Sequence, residues 1–186
     1  ELGPLTDEQD SAIAVMARAE LRLERWIDDL IQFSLVSRGE LSLNLSLVRL
    51  DDLGRASVLQ LEPKARAKNI AVQTEIPAPL PGVNIDEEKI GWVLTQLLDN
   101  AIKFTHTGKV IIKADIHELT EEMATLSFSV SDTGIGISPE DQQRLFTHFF
   151  RGQHHLVRSR KGTGLCLSIA KSIIEAHGGE IRFDSE

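Results

Sequence analysis

Cysteine is almost absent from this sequence: Cys166 is the single thiol among 186 residues. One thiol excludes an internal disulfide and is compatible with a reducing compartment. No apolar run reaches the roughly 20 residues that a membrane-crossing helix needs, and the opening residues Glu1–Pro4 lack signal-peptide character. The chain therefore reads as soluble and cytoplasmic, with membrane anchoring of a longer parent protein left open. An excess of positive charge is missing too, since 20 basic against 28 acidic side chains give a formal charge of −8. Phosphate backbones demand a net basic face, which argues against nucleic acid as a partner and requires any bound phosphate to be held locally. What remains is ordinary: 41% hydrophobic and 26% charged residues, in a chain long enough to bury a core without staples.

The first segment opens with Thr6 and, three residues later, Gln9, a capping box that predicts a helix start. Apolar residues then recur at Ala12, Met16, Ala19, Leu23, Trp26, Leu30 and Phe33, the alternating steps of a coiled-coil or bundle seam. Such a helix cannot bury its stripe alone and calls for a partner helix or a second subunit. Gly39 suits the helix stop, so a domain boundary is expected there, separating 1–39 from 40–186.

Beyond it, Leu41 to Leu47 alternate like a one-sided strand, a helix from about Asp51 is expected to break near Pro63, and Ile70–Ile76 reads as a strand before a proline-rich turn at 77–82. Asp86 then caps a helix whose core face is Ile90, Val93, Leu94, Leu97, Leu98, Ala101 and Ile102. Strands at 110–116 and 126–130, a short helix from Pro139, a helix at 165–176 and a last strand at 180–183 complete the pattern. This order predicts an α/β (α+β) fold, a two-layer sandwich with helices on one face of a mixed sheet.

Three elements carry chemistry. On the helix from Asp86, Gln96, Asn100 and Lys103 share a face; an amide oxygen and an ammonium there suit a magnesium-bound polyphosphate, though a solvated helix face is the plain alternative. Asp132, Thr133, Gly134, Ile135, Gly136 and Ile137 follow a strand, where the glycines permit close approach to a ligand and Asp132 offers an acceptor to an exocyclic amine; a simple Asp–Gly turn would look the same. Lys161, Gly162, Thr163, Gly164 and Leu165 open an amphipathic helix, whose N-terminal N–H groups form an anion site. Neither the GxxxxGK[ST] nor the GxGxxG spacing is present, so the familiar phosphate loops do not account for these glycines.

In combination the elements resemble the histidine kinases of two-component systems. LLDNAIKFT (97–105) is similar to the family's N box, DTGIGI (132–137) to the G1 box, LFTHFFRG (145–152) to the F box and GTGLCLSIAK (162–171) to the G2 box. The resemblance implies the Bergerat-type ATP-binding fold shared with gyrase-type ATPases and Hsp90 chaperones, and an ATP and Mg2+ site. Its residues would be Asn100, Lys103, Asp132, Gly134, Gly136, Ile137, Phe149, Arg151, Lys161, Gly162, Thr163, Gly164 and Leu165. Asn100 would ligate Mg2+, Lys103 would meet the phosphates and Asp132 would read adenine. Phe146, Phe149 and Arg151 would belong to a mobile lid reaching to Lys161.

The long N-terminal helix resembles the second helix of the family's dimerisation and phosphotransfer hairpin. The first helix, with the phospho-accepting histidine, has no counterpart here: His106, His117, His148, His154, His155 and His177 all lack an H-box context. The family's last strand would fall beyond Glu186. The implied partners are an upstream phosphotransfer helix, a second subunit and a response-regulator receiver domain.

Two departures stand out. Cys166 occupies a place where the family usually has glycine, and Gln96 one where hydrolysing relatives carry a glutamate base. Since an amide cannot take a proton at neutral pH, Gln96 favours phosphotransfer to histidine over ATP hydrolysis. Cys166 keeps open a nucleotide-sensing, degenerate kinase.

Overall fold

The computed structural model describes residues 5–120, 124–155, 157 and 162–185. It divides into two compact units, Glu1–Glu40 and Leu41–Glu186. The first unit is one helix, α1 (Asp7–Ser37), and the capping box starts it: the Thr6 N–H donates to Gln9 Oε1 at 2.9 Å and the Gln9 N–H to Thr6 Oγ1 at 3.3 Å. Gly39, at φ +68°, ends it with the Glu40 N–H donating to the Leu35 carbonyl and the Gly39 N–H to that of Val36. The apolar seam is open to solvent, with Met16, Leu23 and Leu30 exposed by 60%, 56% and 51%. Packing within this unit therefore does not satisfy it.

The second unit comprises β1 (Ser46–Arg49), α2 (Leu50–Ala67), β2 (Ile70–Glu75), β3 (Gly82–Ile85), α3 (Glu87–Phe104), β4 (Gly108–Leu119), β5 (Ala124–Asp132), α4 (Pro139–Gln142) and α5 (Cys166–Ala176). β4 is the central strand of a three-stranded sheet, parallel to β2 and antiparallel to β5, while β1 and β3 pair as an antiparallel ribbon. Strand pleating sends Val110, Ile112 and Ala114 of β4 to one face. There they meet Leu98, Ala101 and Ile102 of α3, Ala65 of α2 and Ile70 of β2 in a buried core. α3 also packs against α2 and α5, which completes the helical layer of the expected sandwich.

Four local expectations are corrected. Residues 41–45 form no strand, because pairing with β3 begins only at Ser46. β3 starts at Gly82, the last residue of the expected proline-rich turn, and continues to Ile85 through residues whose pattern predicts no strand. Pro63 does not break α2: it is exposed, and Leu59, whose carbonyl it leaves without an intrahelical donor, is 69% exposed, so water can satisfy that oxygen. Residues 180–183 form no strand, since apolar alternation needs a ladder partner and this segment finds none among the described residues. Instead its neighbour Ser185 takes the Ile137 N–H at 2.9 Å.

The N-terminus of α3 is tied down from three directions. Asp86, 2% exposed, caps the helix by accepting the Lys89 N–H at 3.0 Å on Oδ1, while Oδ2 accepts the Asn44 N–H and the Lys89 ammonium, both at 2.9 Å. Its own N–H donates to His177 Nε2 at 3.0 Å, and His177 Nδ1 faces the Ile173 carbonyl at 2.7 Å, so the imidazole proton resides on Nδ1. Burial by itself would raise the Asp86 pKa, but the hydrogen bonds from Lys89 and Asn44 and the Lys89 charge outweigh it and hold the carboxyl at about 2.

A carboxyl depressed in this way adds stability that is complete above its ordinary value near 3.8 and is lost as pH falls through about 2. Asp86→Asn should therefore cost about 2 kcal/mol at pH 7. In urea titrations the gap between wild type and variant should be constant above about pH 4 and close as the pH approaches 2. A gap that stays constant across that range would show that the carboxylate charge contributes nothing.

Candidate functional site

The candidate residues sit at one end of the helical layer because α3 delivers two of them there. Asn100 and Lys103 lie in its last turns and are half-buried. The Lys103 ammonium is the pivot, since a Cβ placed on Gly162 would lie 3.4 Å from its Nζ, which brings the loop before α5 over the end of α3. Burial is the main influence lowering the Lys103 pKa; Asp99 and Cys166 counter it, whereas the Lys64 and Arg151 charges add to it. A desolvated cation with two more cations in electrostatic reach favours an anion between them. Lys64 is held by an ion pair to Asp99.

The second glycine of that loop is structurally required. Gly164 has φ +73°, and a Cβ there would lie 2.7 Å from the Phe150 carbonyl oxygen and 2.8 Å from the Phe149 carbonyl carbon. The loop before α5 therefore rests directly on the backbone of the 145–152 segment, in which Phe149 itself adopts φ +61° with its side chain 57% exposed. Thr163 Oγ1 accepts the Leu165 N–H at 3.3 Å, while the Leu165 side chain is fully buried and belongs to the core. Cys166 is the first residue of α5, where helical backbone demands no glycine, and it is half-buried.

On the other side, Asp132 ends β5, and its Oδ1 accepts the Gly134 N–H at 2.8 Å, the arrangement of an Asx turn. Gly134 is pressed between Asp132 and the end of α3, for a Cβ there would lie 2.5 Å from Asp132 Oδ1 and 2.8 Å from the Phe104 carbonyl oxygen. Gly136 follows at φ +66°. The Ile137 N–H is bound by Ser185, and its carbonyl accepts the Gln142 amide at 2.8 Å. Thus the end of α3 touches both glycine segments, through Lys103 on one and Phe104 on the other.

Arg151 reaches the site by its charge on Lys103 while its guanidinium donates to the Val157 carbonyl at 2.7 Å. Lys161, with Leu156 and residues 158–160 of the expected lid, lies outside the described residues. Among the six histidines, His148 is paired with Ser168 at 2.9 Å and the His154 and His155 rings lie 4.5 Å apart. No cluster of metal-ligating side chains occurs among the described residues. Sequence reasoning missed Lys68, which reaches the carbonyls at the end of α3, and the Asp86–His177 tie. Neither has a local signature, because each joins residues far apart in the chain.

The residues present suit a nucleotide triphosphate: amide oxygen, desolvated ammonium, a glycine loop at a helix N-terminus, and a carboxylate across the α3 end. Among the described residues no helix is long and apolar enough to cross a membrane.

Comparison with known proteins agrees. A family model described as histidine kinase-, DNA gyrase B-, and HSP90-like ATPase matches residues 85–186. The sensor protein GacS of Pseudomonas syringae pv. syringae is 37% identical over 185 residues, which are 97% of this chain and 20% of that protein. The adaptive-response sensory kinase SasA of Synechococcus sp. (strain JA-2-3B'a(2-13)) is 34% identical over 170 residues, 91% of this chain and 44% of the relative. The crystal structure of full-length ShkA in complex with AMPPNP aligns over 95% of this chain and 35% of its own, with TM-score 0.75 and 28% identity. The chain spans less than half the length of these relatives. Since the family model covers more than half of the sequence, including all four motifs, the chain belongs to the histidine kinase-, DNA gyrase B- and HSP90-like ATPases.

Proposed function

We propose that this chain is the catalytic core of a sensor histidine kinase, which binds Mg-ATP and transfers the γ-phosphoryl group to a histidine on an upstream helix, for relay to a response-regulator aspartate. The observation that carries this reading is the α3 end held between two glycine segments, with Lys103 at Gly162 and Phe104 at Gly134. Names of the relatives support it, as does the AMPPNP bound to ShkA.

In this reading Asp132 accepts the adenine amino group, while Gly134, Gly136 and Ile137 border the base and Gly162 to Gly164 approach the phosphates. Asn100 supplies a hard oxygen ligand for Mg2+, whose charge would neutralise the polyphosphate. Lys103 adds a local positive charge, and its burial strengthens that attraction. Such a site acts by positioning and charge neutralisation, and the acceptor imidazole is itself the nucleophile.

Gln96 on the same helix favours this over ATP hydrolysis, because it supplies no base for water. Cys166 does not argue for a degenerate enzyme, since its helical backbone does not require glycine. In the proposal, residues 1–39 form the second helix of a dimerisation and phosphotransfer hairpin, 40–186 the ATP-binding domain, and the exposed α1 seam packs in a homodimeric bundle.

Asp132→Asn should weaken ATP binding by at least about tenfold in calorimetry, because an amide presents a donor where the adenine amine needs an acceptor; unchanged affinity would remove Asp132 from the base pocket. With an upstream hairpin restored, γ-labelled ATP and Mg2+ should yield acid-labile phosphohistidine. Its absence, with nucleotide binding intact, would favour a nucleotide sensor without phosphotransfer.

A further inference from the structure

One lysine at the site belongs to none of the four motifs. Lys68 follows α2 directly, and its ammonium donates to three carbonyls at the end of α3: Ile102 at 2.5 Å, Lys103 at 3.0 Å and Thr105 at 2.7 Å. The closing carbonyls of a helix have no intrahelical donor, and they form the negative end of its dipole, so a cation here answers both needs. Thr105 secures the same turn by donating its hydroxyl to the Ala101 carbonyl at 2.8 Å.

The division of carbonyls is informative. Phe104, which lies between residues bound by Lys68, turns its carbonyl oxygen to Gly134, where an added Cβ would come within 2.8 Å. The same turn carries the Lys103 side chain to Gly162. The lysine itself stands on a firm base: Asn69, at φ +55°, ends α2, and the next residue, Ile70, is already paired with Gly108 in the β2–β4 ladder.

We infer that Lys68 is a positioning residue for nucleotide binding: by clamping the carbonyls of Ile102, Lys103 and Thr105 it sets the separation between Lys103 and the Gly134 segment. It acts through that turn and does not touch the nucleotide. This rests on the ATP-site reading above, because only a ligand contacting both Lys103 and the Gly134 segment would sense their separation. A helix cap with no positioning role would contribute stability alone.

The test titrates the chain with Mg-ATP at a temperature where circular dichroism shows each variant folded. Lys68→Met should raise Kd by about tenfold, and Lys68→Arg, which keeps the charge and donors, by less than about threefold. Should Lys68→Met not fold, Lys68→Ala, which also has no side-chain donor, carries the same readout. Unchanged Kd in a folded, donor-deficient variant, even with a lower Tm, overturns the inference. A wild type that does not bind Mg-ATP defeats the ATP-site reading instead, and amide hydrogen exchange then judges the clamp. Faster exchange at the Thr105 and Gly134 N–H groups in the variant, with β4 unchanged, upholds the tie to the Gly134 segment; equal exchange overturns it.

Discussion

The burial of α3 between the sheet and its two neighbouring helices is the constraint on which the rest of the second unit depends. Leu98, Ala101 and Ile102 are each no more than 4% exposed, against β4 residues that are themselves buried. Side chains packed at that density cannot shift without opening voids, so the helix behaves as a fixed axle. Its polar face follows from the same geometry: with the apolar stripe directed at β4, Asn100 and Lys103 are left on the side that the glycine segments approach. The core thus selects which residues can meet a ligand.

Both ends of that axle are finished by polar groups from distant parts of the chain. At the start, Asp86 gathers the Asn44 backbone and Lys89, while His177 from the end of α5 receives the Asp86 N–H. At the finish, Lys68 collects carbonyls that the helix leaves without donors. Besides packing along each other, α5 and α3 are tied at both ends: through His177 after the C-terminus of α5, and through the Gly162 loop, before its N-terminus, at Lys103. Two contacts separated by the length of a helix hold a loop in place far better than one, which matters for glycines that impose little stiffness of their own.

The family includes hydrolysing ATPases and chaperones as well as kinases, so membership alone does not choose a chemistry. The choice rests on side chains. Gln96 provides no base for water, and the long amphipathic α1 adds an exposed seam suited to a helical partner. Cys166 stands where the family usually has glycine, yet its position at the first turn of α5 does not require one.

What the sequence determined by itself was local: the Thr6–Gln9 capping box, the Asp86 cap, the face on which Gln96, Asn100 and Lys103 lie, and the glycine segments that announce close approach. These are set by spacing along one helix or one turn, where a few neighbouring residues decide the outcome. The tertiary structure decided how the strands pair, which marginal segments become strands at all, and which polar groups meet. β3 formed between the proline-rich turn and the Asp86 cap, where the pattern predicts no strand, because β1 was there to pair with it, and residues 180–183 alternated without becoming a strand because no ladder among the described residues received them. Lys68 and His177 found their partners across 34 to 37 and 91 residues of chain. Periodicity reports which face of an element is apolar; hydrogen-bond partners brought together by folding leave no such trace.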